Sequence, residues 1–106
     1  MIITTTPNIE GHKILEYKGL VSGEVVNGIN VVKDITASFR DFFGGRSKGY
    51  EESMIEGRQA ALAEMQQRAV AMGANAIVGV SYGYETMGAN GSMLLISMSG
   101  TAVVID

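Results

Sequence analysis

The sequence predicts an α+β domain in two layers, an antiparallel sheet with a long helix on one face, and three stretches carry that reading. Between Tyr50 and Met72, apolar or small residues at Met54, Ala61, Leu62, Met65, Ala69 and Met72 recur mostly at steps of three and four, the spacing of one face of a helix. Gly73 follows as the expected left-handed cap, and the chain passes at once into an alternating strand. The segment from Ser92 to Ile105 is apolar on both of its faces.

The N-terminal run Ile2 to Thr6 is β-prone and stops at Pro7, the only proline, which suits a short edge strand. From His12 to Val26, Leu15, Tyr17, Val21 and Val25 alternate with Glu16, Lys18, Ser22 and Glu24, the pattern of a strand with one wet face. Gly19 and Gly23 punctuate it and predict flex points, because glycine inside a strand marks a bulge, a bend or a close backbone approach. Asn27 to Asn30 reads as a turn. Val32, Ile35, Phe39 and Phe42 or Phe43 then predict a short helix over 31–43, ended by Gly44 and Gly45 and joined to the long helix as a bent pair. In the long helix, Glu51 and Glu52 sit at the positive end of the dipole and Arg68 near the negative end. At about 1.5 Å per residue this helix spans roughly 35 Å, close to the reach of a ten-residue strand at about 3.3 Å each. Beyond it, Ala76, Val78, Val80, Tyr82 and Tyr84 are expected on one strand face, and Thr86 to Gly91 forms a hairpin loop.

With 106 residues, the chain is a single domain, 1–106, and 46% hydrophobic residues with mean hydropathy +0.18 is rich for its size. A net charge of −3, with basic residues clustered only at Arg40, Arg46 and Lys48, gives no electrostatic footprint for nucleic acid or an anionic membrane. Cysteine is absent, which excludes disulfides, thiolate metal sites and thiol nucleophiles. The N-terminus has no signal-peptide pattern and no apolar run is long enough to span a bilayer, so a cytoplasmic location is expected.

A terminal strand dry on both faces needs two covers, and one layer of helix supplies one. The expected second cover is another copy of the chain, since large exposed apolar patches are rare on monomers; a tightly rolled sheet is the alternative. Self-association is therefore the partner reading.

Several blocks in order carry a resemblance over nearly the whole chain: Thr4-Thr5-Thr6, the span Gly19 to Glu24, Phe43-Gly44-Gly45-Arg46 before Tyr50-Glu51, Gly73 to Val80, Tyr84-Glu85 and Ser99 to Val103. With these the sequence resembles the YbjQ family, an uncharacterised group labelled heavy-metal-binding. The resemblance implies a β-α-β-β, dodecin-like subunit assembled as a ring-shaped homopentamer. It also implies acidic residues at the positions of Ser81 and Gly83, which are missing here, so that an oxygen-ligand site would retain only Glu85.

The candidate chemistry is sparse. For a metal ion the residues are His12, the only histidine, and Glu85, against the three or four converging donors a soft or borderline ion requires. Seven methionines offer thioethers, but Met54, Met65 and Met72 belong to the helix stripe and Met93 and Met98 to opposite strand faces, which is core filling. Gly44, Gly45 and Arg46 form a loop before a helix that suits an anion, without the P-loop pattern. Tyr82 and Tyr84 share a strand face and suit a planar ligand, as the likeness to flavin-carrying dodecin implies. No nucleophile has a base at a recognisable spacing. The expected function is a homo-oligomeric binding or structural module taking a small ligand of unknown identity. A heavy-metal-binding protein and an enzyme with an inter-subunit site are the alternatives.

Overall fold

The structure, a computed structural model, describes residues 1–28, 48–88 and 91–106, with side chains from residue 51 onward in the helix. The helix expected over 31–43 and the glycine loop Gly44, Gly45, Arg46 lie outside the described residues. Those elements are β1 (Ile2–Ile3), β2 (Ile14–Gly28), α1 (Lys48–Ala71), β3 (Ala76–Met87) and β4 (Met93–Ile105). One helix packs on one face of a four-stranded sheet of order β1-β3-β4-β2. The sheet is mixed rather than antiparallel throughout. β2 and β3 run antiparallel to β4, whereas β1 lies parallel to β3 through Ile2 opposite Ala76 and Ile3 opposite Ile77. The long connection after β1 explains this. It carries the chain from one edge of the sheet to the other, freeing β1 from hairpin geometry, and Thr4 and Thr6 prolong the pairing by accepting from Val80 N and Gly79 N.

The helix forms as its spacing predicts. Ala61, Met65 and Ala69 are wholly buried, and Met54, Leu62 and Met72 pack at the margins of the same core with Val21, Ile77, Leu94, Ile96, Met98 and Ala102. Its end is a Schellman motif: Gly73 adopts φ 87°, Gly73 N donates to Val70 O at 2.9 Å, and Ala74 N donates to Ala69 O at 3.0 Å. The helix backbone approaches β2 so closely that a Cβ on Gly23 would overlap the Ala61 carbonyl oxygen. Gly23 therefore marks a close approach, whereas Gly19, at φ 125° beside a register shift, marks a bulge.

A second, smaller core lies on the helix-free face. Val103 and Ile105 are buried there against Ala76 and Val78, with Ile9 and Ile14 packed over them. The chain's own N-terminal segment thus covers the C-terminal end of the strand that is apolar on both faces. Farther back on that face the pairs are Ser22 with Ser99 and Ser99 with Ser81, then Glu24 with Ser97 and Ser97 with Gly83, a row of serines with the Glu24 carboxylate at its edge.

Candidate functional site

A bulge in β3 builds the most distinctive surface. The register slips between Val78 and Ser81, and Gly79 takes φ 62°, a left-handed conformation that glycine reaches without strain. One extra residue in a strand reverses the faces beyond it. Ala76 and Val78 consequently belong to the helix-free core, while Val80 packs into the helix-side core and Tyr82 and Tyr84 pair with Met98 and Ile96 of that same core. The five residues expected on one face are split by the bulge, two on one side and three on the other.

Tyr82 and Tyr84 remain together, as the sequence indicates, and on the helix side. α1 lies over β2 and β4 and does not cover the outer half of β3, where Tyr82 and Tyr84 are 54% and 60% exposed. Arg58 reaches from the helix towards them. Its guanidinium carbon stands 5.7 Å from the Tyr82 ring centroid, and Nη1 lies 3.5 Å from the phenol oxygen. Beside it Glu51, Met54, Ile55 and Arg58 line an open depression of about 280 Å³. The surface is two phenol rings, one cation and an aliphatic wall, which suits stacking against a flat or apolar group. Arg58 carries no sequence signal of its own, because its pairing with Tyr82 spans the helix and the following strand.

The metal candidates lie elsewhere and apart. His12 Nδ1 stands 3.1 Å from Asp106 O and 3.5 Å from Asp106 Oδ1, and that carboxylate also accepts from Lys13 N at 3.0 Å. Glu85 pairs with Leu95 on the helix-free face. Leu95 and Ile105 are ten residues apart on β4, a separation of about 33 Å at the rise of an extended strand. One chain therefore does not bring His12 and Glu85 to one ion, and no group of three or more His, Cys, Asp or Glu side chains forms among the described residues. With one histidine and no cysteine, the donor set of a single chain does not fit a soft or borderline heavy metal.

Ionisation is shifted at the opposite edge. Glu24 accepts from Ser22 Oγ at 2.8 Å and from Arg68 Nη1 at 3.0 Å, and these bonds hold its carboxyl below the ordinary value of 4.5. The same Nη1 donates to Ser22 O at 2.9 Å, and Nη2 pairs with Glu64 one turn earlier; the Glu24 bond is the main reason the guanidinium is raised above its usual range. This clip fastens the helix to the edge of β2, and only its Glu64 to Arg68 half is readable from sequence spacing.

The comparisons agree with the geometry. A fold match comes from the crystal structure of a protein of unknown function from Pediococcus pentosaceus, of the DUF74 family, with a TM-score of 0.64 over 100% of this chain and 98% of that one at 21% identity. A UPF0145 protein of Listeria grayi is 59% identical over 106 residues, covering both chains completely. UPF0145 proteins of Listeria monocytogenes and Acetivibrio thermocellus are 57% and 56% identical across the whole chain, which spans 96% and 100% of those relatives. The YbjQ family model, described as "Putative heavy-metal-binding", matches residues 1–106. With a family model and several relatives matched from end to end, this chain belongs to the YbjQ family of UPF0145 proteins.

Proposed function

We propose that the chain is one subunit of a homo-oligomeric ring, the dodecin-like homopentamer that its family resemblance implies, serving as a binding or structural module rather than an enzyme. The observation that carries this reading is the apolar surface exposed among the described residues. Tyr17, Leu20, Val26, Tyr82, Tyr84 and Met87 are all exposed on an 11.2 kDa chain. So many large apolar side chains left open are uncommon on a small monomer, and a further copy of the chain is a common cover. In such an assembly the Tyr82 and Tyr84 platform with Arg58 borders a neighbouring copy, where a small planar or apolar ligand would stack. The family description directs attention to metal, but one chain supplies too few converging donors for it.

Native mass spectrometry of untreated protein tests both parts. The reading expects a multiple of 11.2 kDa, with any carried ligand appearing as added mass; a species of one subunit's mass at micromolar concentration overturns it.

A further inference from the structure

The two edges of the sheet are guarded unequally. β2 is an edge strand, but its register shifts between Ile14 and Glu16 and again between Tyr17 and Gly19, and Arg68 Nη1 occupies the Ser22 carbonyl at 2.9 Å. Bulges and charges are the devices that keep an edge from pairing with another chain. The β3 edge differs. Its first part pairs with β1 and the residues just after it, and that pairing ends where Val80 N donates to Thr4 O at 3.0 Å. From Ser81 to Met87, β3 has β4 on one side and, among the described residues, no strand on the other.

The backbone directions there follow from Val80. Its N–H points to the β1 side, and successive residues of a strand alternate sides, so Tyr82, Tyr84 and Thr86 turn their N–H and C=O groups outward. At the rise of an extended strand this open edge is about 23 Å long. On the helix side it is flanked by the two phenol rings and by Arg58, whose contacts among the described residues are with Tyr82 and not with a carboxylate. Glu85 lies on the other face, and Glu51, earlier on the helix, is itself engaged.

We propose that this edge accepts an extended segment of a partner protein as one further strand, with a carboxylate side chain of that segment set against Arg58. The inference rests on the binding-module half of the reading above and not on the number of subunits. A strand is the occupant because an extended backbone meets the outward groups of Tyr82, Tyr84 and Thr86 in sequence, which a compact ligand does not. Alternate side chains of the added strand fall on the helix side, beside two phenols and one guanidinium, which suits an aromatic residue next to an acidic one. A copy of the chain packed over the ring faces approaches along a different direction and leaves the edge free.

Calorimetric titration of the full-length protein tests it, with a capped heptapeptide in which threonines alternate with phenylalanine, glutamate and phenylalanine. Saturable binding is expected below about 1 mM. N-methylation of one alternate set of peptide amides abolishes it, because those amides face the edge, and methylation of the other set does not. Lysine in place of the peptide's glutamate weakens binding about fivefold, the upper size of an exposed ion pair, and Arg58→Glu reverses the preference. Circular dichroism establishes that the variant is folded; where it is not, the two methylated peptides on the wild-type protein decide alone. The inference is overturned by no saturable binding, by equal binding of both methylated peptides, or by a glutamate preference that survives Arg58→Glu. It is also overturned where the amides of Tyr82, Tyr84 and Thr86 already exchange slowly without peptide, which gives the edge to a neighbouring copy. None of these outcomes counts against the assembly, which the mass of the untreated protein decides separately.

Discussion

The side chain of Asn75 pairs with both backbone groups of Ile105, donating from Nδ2 to Ile105 O at 3.0 Å and accepting from Ile105 N at 2.7 Å. Its own backbone N donates to Val103 O at 3.0 Å. Directly after the Gly73 turn, the amide thus acts as one more strand residue and ties the helix exit to the end of β4. Asn75→Ala leaves two partly buried backbone groups to find water, and a loss of about 2 kcal/mol is expected. Urea unfolding measures it; an unchanged midpoint would show that water replaces the amide fully.

Gly23 and Gly57 both face the interface between helix and sheet, yet their substitutions should differ. A Cβ at Gly23 would meet the backbone of Ala61 and Met65, which moves only with the whole helix. At Gly57 it would meet the Cδ1 tip of Ile96, a flexible end, and alanine is favoured over glycine in a helix by about 1 kcal/mol. Gly23→Ala is expected to destabilise by about 2–3 kcal/mol, in the range of overpacked cores, and Gly57→Ala by clearly less. Equal losses in thermal melts would contradict the close approach at Gly23.

Stability should respond to acid through Glu24. Its carboxyl ionises below the ordinary glutamate value in the folded chain because Ser22 and Arg68 bond the charged form. A depressed folded value contributes stability that is complete above the unfolded value and is lost as pH falls through the folded one. Denaturant midpoints should therefore fall as pH drops below about 4.5, and Glu24→Gln should make that fall shallower. Parallel curves for the variant and wild type would remove Glu24 from the account.

Much of this architecture is legible in the sequence, and the gaps have physical causes. The spacing of Ala61, Met65 and Ala69 and the glycine at 73 announce the helix and its cap, since both signals are local. The reversal at Gly79 is hidden because Ala76, Val78, Val80, Tyr82 and Tyr84 alternate without a break, and only the left-handed φ of one glycine reveals the slip. The cover that Ile9 and Ile14 give to Val103 and Ile105 joins opposite ends of the chain, which no periodicity encodes. Tyr82 and Tyr84 are readable as a pair, whereas the approach of Arg58 depends on where the helix crosses the sheet.

The donor set makes a prediction about metal. Protein purified without a histidine tag, incubated with zinc or copper and desalted, should retain less than about one ion per assembly, because each chain brings one histidine and no cysteine. Elemental analysis decides it, and one or more ions per chain would return the family's metal description to the centre.

The central claim is that another copy of the chain covers the exposed Tyr17, Leu20, Val26, Tyr82 and Tyr84, and sedimentation equilibrium of the untagged chain at micromolar concentration tests it most directly. The account predicts a single species at a multiple of 11.2 kDa, five subunits in the ring that the family resemblance implies. A stable, soluble particle of 11.2 kDa would contradict it.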